Sequence, residues 1–179
     1  MVPWYIATAR FDPTSNPTGW AGYMLDTGLQ HLTEVVTLDY LLCPPVLKDI
    51  KETYWPHIVN ENFMLSYFYD LEFLLAEVEH APARNILCVY RNPEAHPPPP
   101  RTGSWTFVGY DLVDVWGGNS ALTNCGGLSK AFLEIELSTQ GLLPTWERAS
   151  EVQRALRREY EDEPHADCHV WAVYRRNEL

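Results

Sequence analysis

Trp105-Thr-Phe-Val-Gly-Tyr-Asp-Leu-Val-Asp-Val115 decides the fold class. It is rich in aromatic and branched side chains and has no proline, so it reads as one long strand. Gly109 sits in its middle, where a strand bends or takes a bulge. The run Pro97–Pro100 lies just upstream. Prolines cannot donate to a ladder, so this run reads as an exposed polyproline-like connector. It is not read as a domain boundary, because neither side alone carries enough elements to close a core.

Working outward, three more stretches read as strands: Trp4–Ala9, the apolar run Asn85–Arg91, and Cys168–Arg175 at the far end. Val35–Leu42 also suits a strand, closed by Pro44-Pro45. Phe11–Gly22, with its Pro, Gly, Ser and Asn, reads as a loop. Val46, Leu47, Ile50 and Tyr54 recur at helical spacing until Pro56. The parse of residues 56–79 is open. One helix face could run from Phe63 to Val78, but a strand over Phe63–Tyr69 followed by an Asp70-capped helix over Leu71–Glu79 is preferred. Leu128, Ala131, Phe132 and Ile135 mark another helix face. A last helix carries Trp146, Ala149, Val152, Leu156 and Tyr160, with Thr145 as N-cap. Glu147 and Glu151 lie toward its start and Arg154, Arg157 and Arg158 toward its end, which complements the helix dipole. About five strands and three or four helices that do not strictly alternate predict a single α+β domain over residues 1–179, with a mixed or antiparallel sheet.

The 179-residue chain has 46% hydrophobic residues and 21% charged residues, which excludes wholesale disorder. Its net charge is −11, and residues 1–90 hold 4 Lys/Arg against 11 Asp/Glu. Such a chain repels phosphates and lacks the counterion-release drive of nucleic-acid binding. It favours basic partners instead, although an acidic surface also serves solubility alone. The first residues show no basic segment followed by an apolar one, so no signal peptide is expected. Cys43, Cys88, Cys125 and Cys168 are widely spaced and read as reduced thiols of a cytoplasmic protein. No stretch approaches the length of a membrane span, and no cofactor motif is present.

Three segments could carry chemistry. In Asn119-Ser-Ala-Leu-Thr-Asn-Cys-Gly-Gly-Leu128, Cys125 would sit near the positive end of a helix, which enriches the thiolate. Asn124 or the Gly126 and Gly127 amides could then hold an oxyanion. The plainer reading is a tight turn with a minor core thiol. In Pro164-His-Ala-Asp-Cys-His169, His165, Asp167 and His169 would share one face of an extended chain. They could hold a metal or supply a base to Cys125, but the paired Cys-x-x-Cys spacing of a zinc site is missing. Asp111 and Asp114 face opposite sides of a regular strand, so the expectation is one carboxylate in solvent and one on an arginine. An enzyme would use Cys125, His169 and Asp111. A binding module would use Trp20 and Trp116, read as aromatics in Gly-rich loops, with the acidic run Glu161, Asp162 and Glu163.

Gly109-Tyr-Asp-Leu112 and Ser120-Ala-Leu-Thr-Asn-Cys-Gly126 resemble a pattern found in small, uncharacterised bacterial proteins. The resemblance covers roughly residues 105–175 and implies no particular activity. In size and acidity the chain is also similar to bacterial immunity proteins, and that likeness implies a cognate toxin as partner. The leading expectation is an acidic protein-binding module, an immunity-type inhibitor of a basic toxin or nuclease. A small cysteine-dependent hydrolase or transferase and an accessory subunit are the alternatives.

Overall fold

The computed structural model describes residues 1–59, 63–82, 84–123, 136–159 and 166–177. Among these residues, four strands form one antiparallel sheet: β1 Trp4–Ala9, β2 Arg84–Arg91, β3 Trp105–Asp114 and β4 Cys168–Arg176, in the order β1-β2-β4-β3. Among the described residues the helices are α1 Pro17–Thr27, α2 Leu71–Glu77 and α3 Trp146–Glu159, with a 3-10 helix at Glu52–His57. This is the α+β class with an antiparallel sheet, one strand fewer than the sequence suggests.

The missing strand is Val35–Leu42. Val35–Asp39 is buried, yet among the described residues the stretch forms only an isolated bridge, between Phe11 and Val35. Asp39 draws it off the ladder, because its carboxylate accepts the amides of Leu41 and Leu42 at 2.9 and 3.1 Å. Phe63–Tyr69 is likewise no strand, and Phe68 merely bridges Tyr5 and Ile58. The helix expected over Val46–Tyr54 shortens to the 3-10 turn, with Pro56 inside it. Pro44 and Val46 instead bond to β1, as Ala9 N–H donates to Pro44 O and Val46 N–H to Ala7 O, both at 2.8 Å. Helix α1 replaces part of the expected Phe11–Gly22 loop. The Asn16 side chain caps it and Pro17 opens it, a pairing suited to a helix start. Asp70 caps α2 through Phe73 N–H at 3.0 Å, and Thr145 caps α3 through Arg148 N–H at 3.2 Å. The helix expected around Leu128–Ile135 lies outside the described residues. The proline run is only partly exposed: Pro97 and Pro100 are buried, while Pro98 and Pro99 face solvent.

The two faces of the sheet are covered differently. Tyr5, Ala7, Cys88, Tyr90, Tyr110, Leu112, Val170, Ala172 and Tyr174 share one core with Leu74 and Val78 at α2 and Ala149, Val152 and Leu156 of α3. On the other face Ile6, Leu87, Val89, Val113, Trp171 and Val173 meet Val36, Leu38, Val59, Leu65, Tyr67 and Leu142. These last come from irregular chain. The bulge between Phe107 and Gly109 sets which β3 side chains go where. It places Phe107 beside Tyr110, rings 5.1 Å apart, and turns Asp111 and Val113 toward the irregular side.

Both sheet edges are occupied. Tyr5 and Phe68 exchange backbone hydrogen bonds at 2.8 Å along β1. Tyr110 and Leu143 exchange theirs at 2.8 and 3.0 Å along β3. Covered edges offer no template for another chain's strand along these stretches.

Candidate functional site: a loop platform on buried carboxylates

Irregular chain packed against a sheet leaves buried amides with no ladder partner, and each unpaired one is costly. Three aspartates meet that need here. Asp111 Oδ2 accepts from Thr37 Oγ1 at 2.7 Å and Leu38 N–H at 2.9 Å. Its Oδ1 accepts from Ser120 Oγ at 2.6 Å and Leu112 N–H at 2.9 Å. Asp39 accepts Ser120 N–H at 3.0 Å in addition to the amides of Leu41 and Leu42. Asp114 closes the next turn, accepting from Gly118 N–H at 3.1 Å and Asn119 Nδ2 at 2.6 Å. Burial pushes the Asp111 carboxyl up, and Asp39 adds like-charge repulsion, against the donors that pull it down.

Asp111 and Asp114 therefore depart from the expectation of one carboxylate in solvent and one on an arginine. Both are buried and both serve loop backbone. The bulge precedes them and leaves them on opposite faces.

The loops so held carry large apolar side chains at their tips. Tyr40 is 40%, Leu41 71%, Met64 51% and Trp116 62% exposed. Backbone bonds tie the three loops together: Tyr40 N–H donates to Gly118 O and Met64 N–H to Trp116 O, both at 2.7 Å. Two glycines allow this closeness. A Cβ on Gly117 would lie 2.6 Å from Phe63 Cδ1, and one on Gly118 would lie 2.6 Å from Met64 Cβ. Beneath them Trp4, Phe63, Tyr67 and Trp171 form an aromatic cluster, with Tyr67 stacked on Trp171 at 5.2 Å. Arg91 lies over the Phe63 ring at 5.0 Å. The tips are thus exposed, apolar and mounted on a rigid base, which suits a protein contact surface.

The other residues singled out by sequence fall as follows. Trp20 lies on α1 instead of in a loop, half-buried against Phe11 at 5.7 Å. His169 lies on β4 diagonally from Asp111, but its ring nitrogens meet Arg91 Nη2 at 2.9 Å and Asn92 Nδ2 at 3.0 Å. The guanidinium can only donate, so His169 Nε2 is the acceptor there. Asp167 pairs with Arg157 at 3.3 Å on the surface. Cys125, His165, Glu161, Asp162 and Glu163 lie outside the described residues. Among the described residues, no group of three or more His, Cys, Asp or Glu side chains is placed to hold a metal ion. No helix among them is long and apolar enough to cross a membrane. Sequence reading missed Tyr40, Leu41 and Met64, whose only sign was a large apolar residue beside a turn.

The thiols give a direct check. Cys43, Cys88 and Cys168 are buried. Burial pushes Cys88 and Cys168 up to about 12 and Cys43 further still. These three resist iodoacetamide in the native protein and react on unfolding. Peptide mapping after native labelling at graded pH checks this. Labelling of Cys125 with a midpoint well below the ordinary thiol value of about 8.5 would revive the nucleophile reading.

No family model, curated protein or solved structure matches the chain.

Proposed function

We propose that this chain is a cytoplasmic protein-binding module of immunity type, which occupies a basic partner such as a toxin or nuclease. Tyr40, Leu41, Met64 and Trp116 form the apolar centre of the contact surface. The observation that carries the reading is their joint exposure on three loops bonded to one another and anchored by Asp39, Asp111 and Asp114. A rigid loop loses little conformational entropy on binding, so its apolar area converts more fully into affinity. The net charge of −11 supplies attraction to a basic partner and speeds encounter. Since both sheet edges are covered, side-chain docking is favoured over strand addition.

Trp116→Ala tests the surface without touching the core. Its stability stays within about 0.5 kcal/mol of the parent, as for an exposed side chain. Partner affinity falls by more than about 2 kcal/mol, the cost of removing an interface anchor. Denaturant unfolding and binding calorimetry measure the two. Unchanged affinity would remove Trp116 from the interface.

A further inference from the structure

Arg175 and Arg176 are neighbours on β4, and the pleat sends them to opposite faces. Arg175 pairs with Glu34 at 2.6 Å. The side chain of Arg176, on the helix-covered face with Tyr174, makes no hydrogen bond or ion pair among the described residues, although it is half-buried. It lines a cleft of about 650 Å³ together with Tyr5, Tyr69, Asp70, Glu72 and Thr102. That size lies within the range of small-molecule sites.

The cleft's charges are divided by what they already do. Asp70 is committed, because its carboxylate accepts Phe73 N–H at 3.0 Å and contacts His57 Nδ1 at 3.1 Å. Glu72 is exposed and makes no ion pair among the described residues. One guanidinium and one carboxylate with no ion pair among the described residues therefore line the same cleft. A guanidinium fork selects a carboxylate, and a free carboxylate selects an ammonium. The two acidic linings disfavour a multiply charged anion such as phosphate, because Arg176 is the one cation among the described lining residues. We propose that this cleft binds a small zwitterion of the amino-acid or dipeptide class, its carboxylate on Arg176, its ammonium on Glu72 and its side chain against the exposed Tyr69. The site is separate from the loop platform. Arg176 ends β4 while Cys168 begins it at the platform end, roughly 26 Å away by strand rise.

The test is titration of the ¹⁵N-labelled full chain with the dipeptide Ala-Tyr, its N-acetyl form and its C-terminal amide, followed by NMR. Saturable shifts at Tyr69, Glu72 and Arg176 are expected with Ala-Tyr. Affinity should fall about tenfold or more with either blocked form, the size of one lost charge-assisted hydrogen bond. Arg176→Gln and Glu72→Gln should each weaken Ala-Tyr similarly, and each should cease to discriminate against the analogue blocked at its own end. The absence of saturable shifts at millimolar Ala-Tyr, equal binding of the blocked forms, or tighter binding of inorganic phosphate at Arg176 would each overturn the assignment.

Discussion

Asp111→Ala is expected to lower the stability of the protein by about 3–5 kcal/mol, the range for breaking a buried polar network. The carboxylate receives two hydroxyls and two main-chain amides. The hydroxyls of Thr37 and Ser120 can turn to other acceptors. The amides of Leu38 and Leu112 cannot, and each is left buried and unpaired. Asp111→Asn is no rescue, because its NH₂ must face one of those two amides donor to donor. The pH dependence has a definite sign. The folded-state pKa is raised above the unfolded one, so the folded protein holds the Asp111 proton more tightly. Below the ordinary carboxylate value of about 3.9 the associated stabilisation is fully present, and it is lost as pH rises through the folded-state value. The stability gap between the parent and Asp111→Ala is therefore wider at the acid end of that window than at neutral pH. Urea midpoints measured across pH check both the size and the slope. A loss under about 1 kcal/mol would show that the carboxylate does not hold the loops, and a gap that narrows toward acid would show that its four donors outweigh burial in setting its pKa.

Gly109→Ala is the second large effect, expected at about 3 kcal/mol or more from backbone strain and overpacking together. Gly109 has φ 141°, a region that side chains avoid, and an added Cβ would lie 2.6 Å from Leu142 Cβ and 2.9 Å from Leu143 O. Neither neighbour is the loose end of a side chain, and Leu143 is held by its two bonds to Tyr110. The consequence reaches the platform. The bulge reverses the facing of every later β3 residue, and without it Asp111 would turn toward the helices and Tyr110 toward the loops. Gly109→Ala should thus loosen the Thr37–Leu38 and Ser120 contacts as well as lower the unfolding midpoint. Hydrogen exchange at Leu38 reads the first and denaturant unfolding the second. A variant as stable as the parent would mean that the bulge is not needed.

The sheet and the bulge were legible because their signals are local. Ile86–Tyr90 is apolar throughout, Gly109 interrupts a strand pattern, and Asp70 precedes an apolar helix face. Val35–Leu42 misled because a buried irregular segment has the same composition as a buried strand. The difference lay in Thr37 and Asp39, whose side chains compete with the ladder for backbone groups. Phe11–Gly22 misled the other way, since Asn16-Pro17 looks like a turn and works as a helix start. Of the platform, only Trp116 stood out. Tyr40, Met64 and Trp116 come from three separate loops, and their meeting depends on Gly117, Gly118 and the aspartates beneath them. Asp111 and Asp114 were noticed as carboxylates, but their work is structural support, which sequence spacing does not reveal.

The account stands or falls on paired capture from one native lysate, with the parent chain and a Met64→Ala/Trp116→Ala double variant as baits, followed by identification of the bound proteins. It predicts a basic protein retained by the parent, released as salt is raised, and absent from the double variant although that variant remains folded. The same set of proteins on both baits at every salt concentration would contradict it.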